Sequence, residues 1–343
     1  MRTVRKWFKG FLCAMAMLGG FVVYRIRGKT PTIAYHGMVR LFCLTGGRSN
    51  DWLSRLISIF APPYSLPQAN GVLGDMSDTG ALHAAAVALR TRGYYQFPNR
   101  LPDEVCDRLV KYATSHLCDT RQMDGHASRQ LRDVIYDRSN PMAVHYEFRA
   151  KDLLANPDIQ RLLTDSSLVA VAQEYLGARP VIDALSMWWV TAFSDRPDSN
   201  AAQLFHFDMD RPKWLKFFIY LTDVTPVNGP HTFVSGSHRS GMIPEGLLSK
   251  GYARLSDEEV VGMFAKEDIL EFCGARGSII AEDTRGLHKG RHVEKGDRLM
   301  LQIQFSNSLF GANYPRECIG ESLSPDLSEA VRRFPALYAA YMK

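Results

Sequence analysis

LFHFDMDRPKWLKFFIYLTDVTPVNGPHTFVSGSH, residues 204–238, is the stretch from which the fold is read. It opens with His206 and Asp208, two residues apart among Leu204, Phe205 and Phe207, a run of strand character. Successive strand side chains alternate between faces, so the imidazole and the carboxylate point the same way. Together they suit a divalent first-row metal. One more His would complete the two-His, one-carboxylate set of non-heme Fe(II) oxygenases, which leaves coordination positions open. Such a pair alone is a weak signal. Its sequel strengthens it: a strand-like run at 214–222, a turn with Pro226, Asn228, Gly229 and Pro230, a short strand around Phe233, and a turn at Gly236, Ser237 and His238.

Further along lies GLHKG, residues 286–290, followed by a turn at Gly296 and Asp297 and a strand over 298–306. His288 is the preferred third ligand, because its flanking glycines permit close backbone approach. His292 competes from the same loop, whereas His231 and His238 sit in turns and read as structural or supporting groups. Two strands share an asymmetry. Leu215, Phe217, Ile219 and Leu221 form one apolar face, opposite Lys216, Phe218 and Tyr220; Leu299, Leu301, Ile303 and Phe305 likewise back Arg298, Met300, Gln302 and Gln304. A polar stripe on two apolar-backed strands predicts the lining of a water-filled funnel, and an inward Lys calls for an anion.

With these elements in order, the chain resembles the phytanoyl-CoA dioxygenase family of Fe(II)/2-oxoglutarate-dependent oxygenases. The resemblance rests on HFD at 206–208, YLTDVTPVNGP at 220–230, GSHR at 236–239, GLHKG at 286–290 and Arg298 ten residues after His288. It extends upstream through GYYQFPNRLPDEVCDRL at 93–109 and AQEYLGARPVI at 172–182, so it covers roughly residues 80–311. It implies a mainly β protein with flanking helices, a double-stranded β-helix (jelly roll, cupin-like) with the metal at its open end.

The resemblance further implies Fe(2+) held by His206, Asp208 and His288, with 2-oxoglutarate as co-substrate and O2 as oxidant. Arg298 becomes the clamp for the far carboxylate of 2-oxoglutarate, since a guanidinium pairs with a carboxylate in bidentate fashion. Lys216 and Phe218 are assigned to the same co-substrate pocket. The family often carries Ser or Thr two residues beyond the third ligand, where this chain has Gly290, and Arg291 is the nearby substitute. Related halogenases replace the carboxylate ligand with a small residue; Asp208 is present, which favours hydroxylation of a small molecule with release of succinate and CO2. Two other readings stay open: a cupin-like metal protein of other chemistry, and a catalytically silent, membrane-associated binding protein.

The whole-chain numbers fit one large domain with an appendage: 343 residues, 46% hydrophobic. The net charge of +5 is unevenly spread. Residues 1–50 hold nine of the 41 Lys and Arg and no acidic residue, which leaves 32 basic against 36 acidic side chains elsewhere. A slightly acidic body gives no footprint for nucleic acid. The apolar run at 11–24, short for a span, is bracketed by cations, and membrane association through residues 1–29 is weighed equally with packing on the body. The expected organisation is an N-terminal extension (1–79), an oxygenase domain (80–320) and a helical tail (321–343). Helices are expected at 51–60, capped by Asn50 or Asp51, at 81–91, from 102 through His116, and as one unit over 156–176. In a jelly-roll oxygenase the charged, irregular stretch 119–150 is expected to form the substrate-side wall and lid, so one of Arg129, Arg132, Arg138, His145, Tyr146 and Arg149 is a candidate for holding an anionic substrate, with a solvated face the favoured reading for any single one of them. The paired tryptophans Trp188 and Trp189 read as core residues, with one of them a candidate for lining the site. Six cysteines without CxxC spacing indicate neither a zinc ribbon nor a disulfide framework, and a cytoplasmic location or the cytoplasmic face of a membrane is expected.

Overall fold

Alternation along the two asymmetric strands builds two facing sheets, seen in a computed structural model that describes residues 2–66, 68–123, 130–251, 253–315, 317 and 323–342. In chain order the strands are β1 (Asn70–Gly71), β2 (Gly74–Asp75), β3 (Tyr94–Arg100), β4 (Asp119–Thr120), β5 (His145–Glu147), β6 (Val181–Thr191), β7 (Trp214–Tyr220), β8 (His231–Val234), β9 (Ile269–Phe272), β10 (Ser278–Glu282), β11 (His288–Gly290) and β12 (Asp297–Ser306). The major sheet has seven antiparallel strands in the order β3-β10-β7-β12-β6-β5-β4, and the minor sheet three in the order β11-β8-β9. This is a double-stranded β-helix with flanking helices. Arg129 of the charged stretch lies outside the described residues.

Period-two patterning decides which face each side chain takes. Leu215, Phe217 and Ile219 of β7, with Leu299, Leu301, Ile303 and Phe305 of β12, enter the main core on the outer face of the major sheet. Helices cover that face: α4 (Thr79–Arg92) with Ala85 and Leu89, α5 (Asp103–Ala113) with Leu109, α6 (Ala150–Leu154) with Leu153, α7 (Pro157–Leu163) with Leu162, and α8 (Ser166–Leu176) with Val171. The opposite face meets the minor sheet, where Phe218, Tyr220, Ile280 and Met300 pack on Phe233 and Phe272. Each fully buried Leu or Phe here contributes about 1.5–3 kcal/mol relative to exposure.

Several local boundaries differ from the sequence expectation, each for a visible reason. The unit over 156–176 breaks at Asp165, whose carboxylate caps α8 through the Ser167 and Leu168 amides and also accepts from the Val72 amide at 2.7 Å. The helix expected through His116 ends at Ala113. Helix α3 (Arg48–Phe60) starts earlier than expected, after Gly47 with φ 90°, and neither Asn50 nor Asp51 caps it. Asp51 instead pairs with Arg285 at 2.9 Å and accepts from Ser240, and so ties α3 to the body.

Residues 2–60 form three helices: α1 (Arg2–Arg27), α2 (Thr32–Thr45), which no sequence signal marks, and α3. Met17, Phe21, Ala34, Met38, Leu41, Leu53 and Ile57 pack with Phe310, which follows β12. At the other end, Leu327, Val331, Leu337, Tyr338 and Tyr341 join the main core. Both terminal regions therefore share packing with the β-helix.

Candidate metal centre

Local backbone pairing brings the two histidines together. His206 and His288 exchange both main-chain hydrogen bonds, each N to O at 2.9 Å, as an isolated antiparallel bridge beside β11. Directly opposed residues of an antiparallel pair project to one face, so both rings leave the same side, with centroids 4.2 Å apart. The segment with His206 is thus extended and bridged, not a strand of a regular ladder. Asp208, two positions on, holds the third corner: its oxygens lie 4.0 Å from His206 Nε2 and 3.7 Å from His288 Nε2. One ligand atom from each of the three lies within 4.8 Å of the others, and all three residues are buried.

The ring orientations suit a metal. His206 Nδ1 donates to the Leu204 carbonyl at 2.9 Å and His288 Nδ1 to the Gly286 carbonyl at 3.0 Å. A carbonyl can only accept, so Nδ1 carries the hydrogen and Nε2 presents its lone pair to the cluster. Burial, then the neighbouring His288, keeps the His206 ring well below its ordinary pKa, and burial takes His288 down to about 3. Both rings are therefore neutral at physiological pH, the form that can ligate a metal.

Asp208 is held ionised by its neighbours. Burial would raise its pKa, but the ammonium of Lys216 and the two imidazoles outweigh that and hold the carboxyl below the usual range. Lys216 Nζ and Thr284 Oγ1 each donate to Asp208 Oδ2 at 2.7 Å, and Trp214 Nε1 donates to Thr284 Oγ1 at 2.8 Å. The anion that an inward Lys216 requires is therefore the aspartate of the cluster. Replacing Lys216 with Met should lower the thermal stability of the metal-free protein by about 3 kcal/mol, because it strands a buried carboxylate, and a divalent metal should restore most of it. Thermal unfolding of both proteins with and without Ni(II) checks this; equal losses in both states would make Lys216 a packing residue.

The cluster opens into a cavity of about 250 Å³ that also takes in Phe218, Arg298, Met300, Trp188 and His145. Arg298 is 2% exposed. One Nη donates to the Gly229 carbonyl, while Nε has no partner, and no acidic side chain among the described residues pairs with it. Burial pushes its pKa down. A Cβ at Gly290 would stand 3.2 Å from Arg298 Nη2, so the glycine keeps clear the space that a Ser or Thr at this position would take. The expectation that Arg291 takes over that role is corrected: Arg291 pairs with Glu271 at 3.0 Å and Glu294 at 2.9 Å.

Of the other histidines, His231 lies on the cavity wall with Nε2 2.9 Å from Glu282. Burial drives this ring down to about 3 and the Glu282 carboxyl up, so the two face each other as neutral partners. His292, the alternative ligand, stays outside the cluster. His238 Nε2 donates to the Arg90 carbonyl, 3.3 Å away, and burial lowers the ring to about 4. Between its ordinary value of 6.5 and that value the unfolded chain binds a proton that the native chain does not. Its contribution is complete above about pH 6.5 and shrinks as pH falls toward 4, by up to about 3 kcal/mol. His238→Gln should flatten that part of the curve of melting temperature against pH; an unchanged slope assigns the acid sensitivity elsewhere.

In the charged wall, Arg138 pairs with Asp297 at 2.7 Å, and Arg149 with Asp119 and Asp133. These are structural ion pairs. Tyr146 and Trp189 are core residues, whereas Trp188 reaches the cavity. His145 is buried there, its ring parallel to Trp188, and neither ring nitrogen has a hydrogen-bond partner among the described residues. Sequence reading missed Thr284 and Glu282, which no motif marks. It included His145 only as one charged-wall residue among six.

No protein-family model matches this sequence, and no curated protein is significantly similar to it. Solved structures similar in chain path include the non-heme alpha ketoglutarate dependent epimerase SnoN from nogalamycin biosynthesis, at 18% identity over 67% of this chain and 84% of that one, TM-score 0.49. EctD from S. alaskensis in its apoform is 19% identical over 74% of this chain and 89% of its own, TM-score 0.49. HygX from Streptomyces hygroscopicus, with nickel and 2-oxoglutarate bound, is 15% identical over 71% and 92%, TM-score 0.47.

Proposed function

We propose that this protein is a non-heme Fe(II)/2-oxoglutarate-dependent dioxygenase that hydroxylates a small molecule. The observation that carries the reading is one cavity holding two neutral imidazoles, an ionised carboxylate and a buried guanidinium without an acidic partner among the described residues. The first three fit a first-row divalent cation with open positions, and the fourth fits the far carboxylate of a dicarboxylic acid. When bound, such a centre couples activation of O2 to oxidative decarboxylation of 2-oxoglutarate to succinate and CO2. His206, Asp208 and His288 would hold the iron, and Arg298 would fix the co-substrate.

The remaining side chains prepare the space. Lys216 and Thr284 fix the Asp208 carboxylate in one orientation. Trp188, Phe218 and Met300 give the cavity apolar walls that exclude water, and His145 offers a neutral ring for a hydrogen bond to whatever enters. A second chamber of about 390 Å³ shares Arg121, Glu147, Ser186, Lys216 and Gln302 with the first, and is the substrate side of the site. Retention of Asp208, which leaves no room for a halide, supports hydroxylation.

The test is anaerobic titration of the Fe(II)-loaded protein with 2-oxoglutarate, followed by its visible charge-transfer absorption. A saturable band, with succinate output raised by some fraction of a metabolite extract, is expected. Failure of 2-oxoglutarate to perturb the metal's spectrum overturns the reading in favour of a cupin-like protein of other chemistry.

A further inference from the structure

Helix α1 has two apolar sides, and the body covers one of them. Met17, Gly20 and Phe21 face α2 and Phe310: the Phe21 and Phe310 rings meet edge to face at 5.3 Å, and a Cβ on Gly20 would fall 2.1 Å from that of Ala34. On the opposite side Phe8, Phe11, Leu12, Met15, Val22 and Ile26 are between 51% and 78% exposed. At about 3.6 residues per turn these six positions fall on a single stripe, with Lys9, Arg25 and Arg27 on its flanks. A continuous exposed apolar stripe on a protein surface marks an interaction site.

We infer that α1 and α2 form a docking face for an anionic lipid bilayer, on which α1 lies in the plane of the interface. Charge identifies the partner: the first 50 residues carry nine cations and no anion, while the rest of the chain is slightly acidic. An apolar stripe flanked by lysine and arginine matches acyl chains below and anionic headgroups beside them. A groove of about 700 Å³ between α1, α2 and residues 245–251 extends the apolar surface through Leu12, Val39 and Leu44, with the exposed Lys9 and Arg40, and Glu245, at its walls.

Phe8–Arg27 is also long and apolar enough to cross a membrane. Crossing would strip α1 from α2 and uncover Met17, Phe21, Met38 and Phe310, whereas in-plane docking keeps that packing. The fold adds a consequence for the site. Exposed Gly28, at the end of α1, lines the 390 Å³ chamber beside the metal cluster, so a docked molecule holds that chamber's rim at the lipid surface.

Co-sedimentation of the full chain with vesicles tests this, using phosphatidylcholine alone and an equimolar mixture with phosphatidylserine. Binding to the mixed vesicles is expected to exceed binding to the neutral ones by at least about tenfold, to weaken with salt, and to be released by alkaline carbonate. Phe11→Ser/Met15→Ser/Val22→Ser/Ile26→Ser should abolish binding, and Lys9→Glu/Arg40→Glu should remove the preference for phosphatidylserine. Circular dichroism and Ni(II) titration, both expected unchanged, establish that each variant is folded and that the metal centre is untouched. Three results overturn the inference: no vesicle binding by the parent chain, resistance to carbonate, or binding unaltered in the quadruple variant. Concentration-dependent dimerisation lost in that variant, without vesicle binding, assigns the face to a second copy instead.

Discussion

His288→Ala is expected to lower Fe(II) or Ni(II) affinity and succinate formation by at least about a hundred-fold. Loss of a group that merely orients a ligand already costs 10–100-fold, so loss of the ligand itself sets a higher floor. The imidazole is buried, its Nδ1 is committed to the Gly286 carbonyl, and only Nε2 faces His206 and Asp208. The backbone pair with His206 needs no side chain, so the fold should survive with the segments still bridged. His292→Ala, in the same loop but outside the cluster, is the control and should change metal affinity by less than about twofold. Metal titration monitored by tryptophan fluorescence distinguishes the two; comparable losses would mean that His288 acts through the loop and not on the metal. The same substitution at His206 should match His288→Ala, and the double variant should fall little further, because two remaining donors already hold the metal poorly.

Legibility of this site in the sequence followed the range of the interactions involved. Period two along β7 and β12 is local, so the division between Phe217, Ile219 and Leu301 on one side and Lys216, Phe218 and Arg298 on the other could be read directly. His206 and Asp208 are two apart, and their shared direction follows from the same period. The third ligand was reached through its glycine setting and through family resemblance. What stayed hidden is long-range. Thr284 donates to a carboxylate 76 residues away, and Glu282 meets an imidazole 51 residues away, with no pattern to link them. The ion pairs of Arg291 and Arg138 could not be foreseen, because charge count says nothing about which carboxylate lies within reach. Helix α2 escaped for a related reason: Ala34, Gly37 and Met38 are small or apolar because α1 lies on them, and that packing partner is not visible in a local window.

Arg298→Met should raise the KM for 2-oxoglutarate by roughly thirty- to a thousand-fold, the equivalent of about 2–4 kcal/mol for a buried, hydrogen-bonded charge pair. It should also do what removal of a binding residue seldom does, and raise the melting temperature of the ligand-free protein. The reason is the imbalance around the guanidinium: it is 2% exposed, its Nε has no partner among the described residues, and burial already pushes its pKa down. Such a charge destabilises the empty protein and is stabilised when a carboxylate completes the pair, so the cost is recovered on binding. Arg298→Lys keeps the charge but loses the planar fork, and should fall between the two. Gly290→Val, which adds bulk beside Nη2, should raise the same KM without affecting the metal. Thermal shifts with and without 2-oxoglutarate decide the matter. The parent protein should gain stability from the dicarboxylate and Arg298→Met should gain none, with Ni(II) affinity equal in both. If the methionine variant instead melts lower and keeps its 2-oxoglutarate response, Arg298 serves the Gly229 turn through its bond to that carbonyl, and the co-substrate is held elsewhere in the cavity.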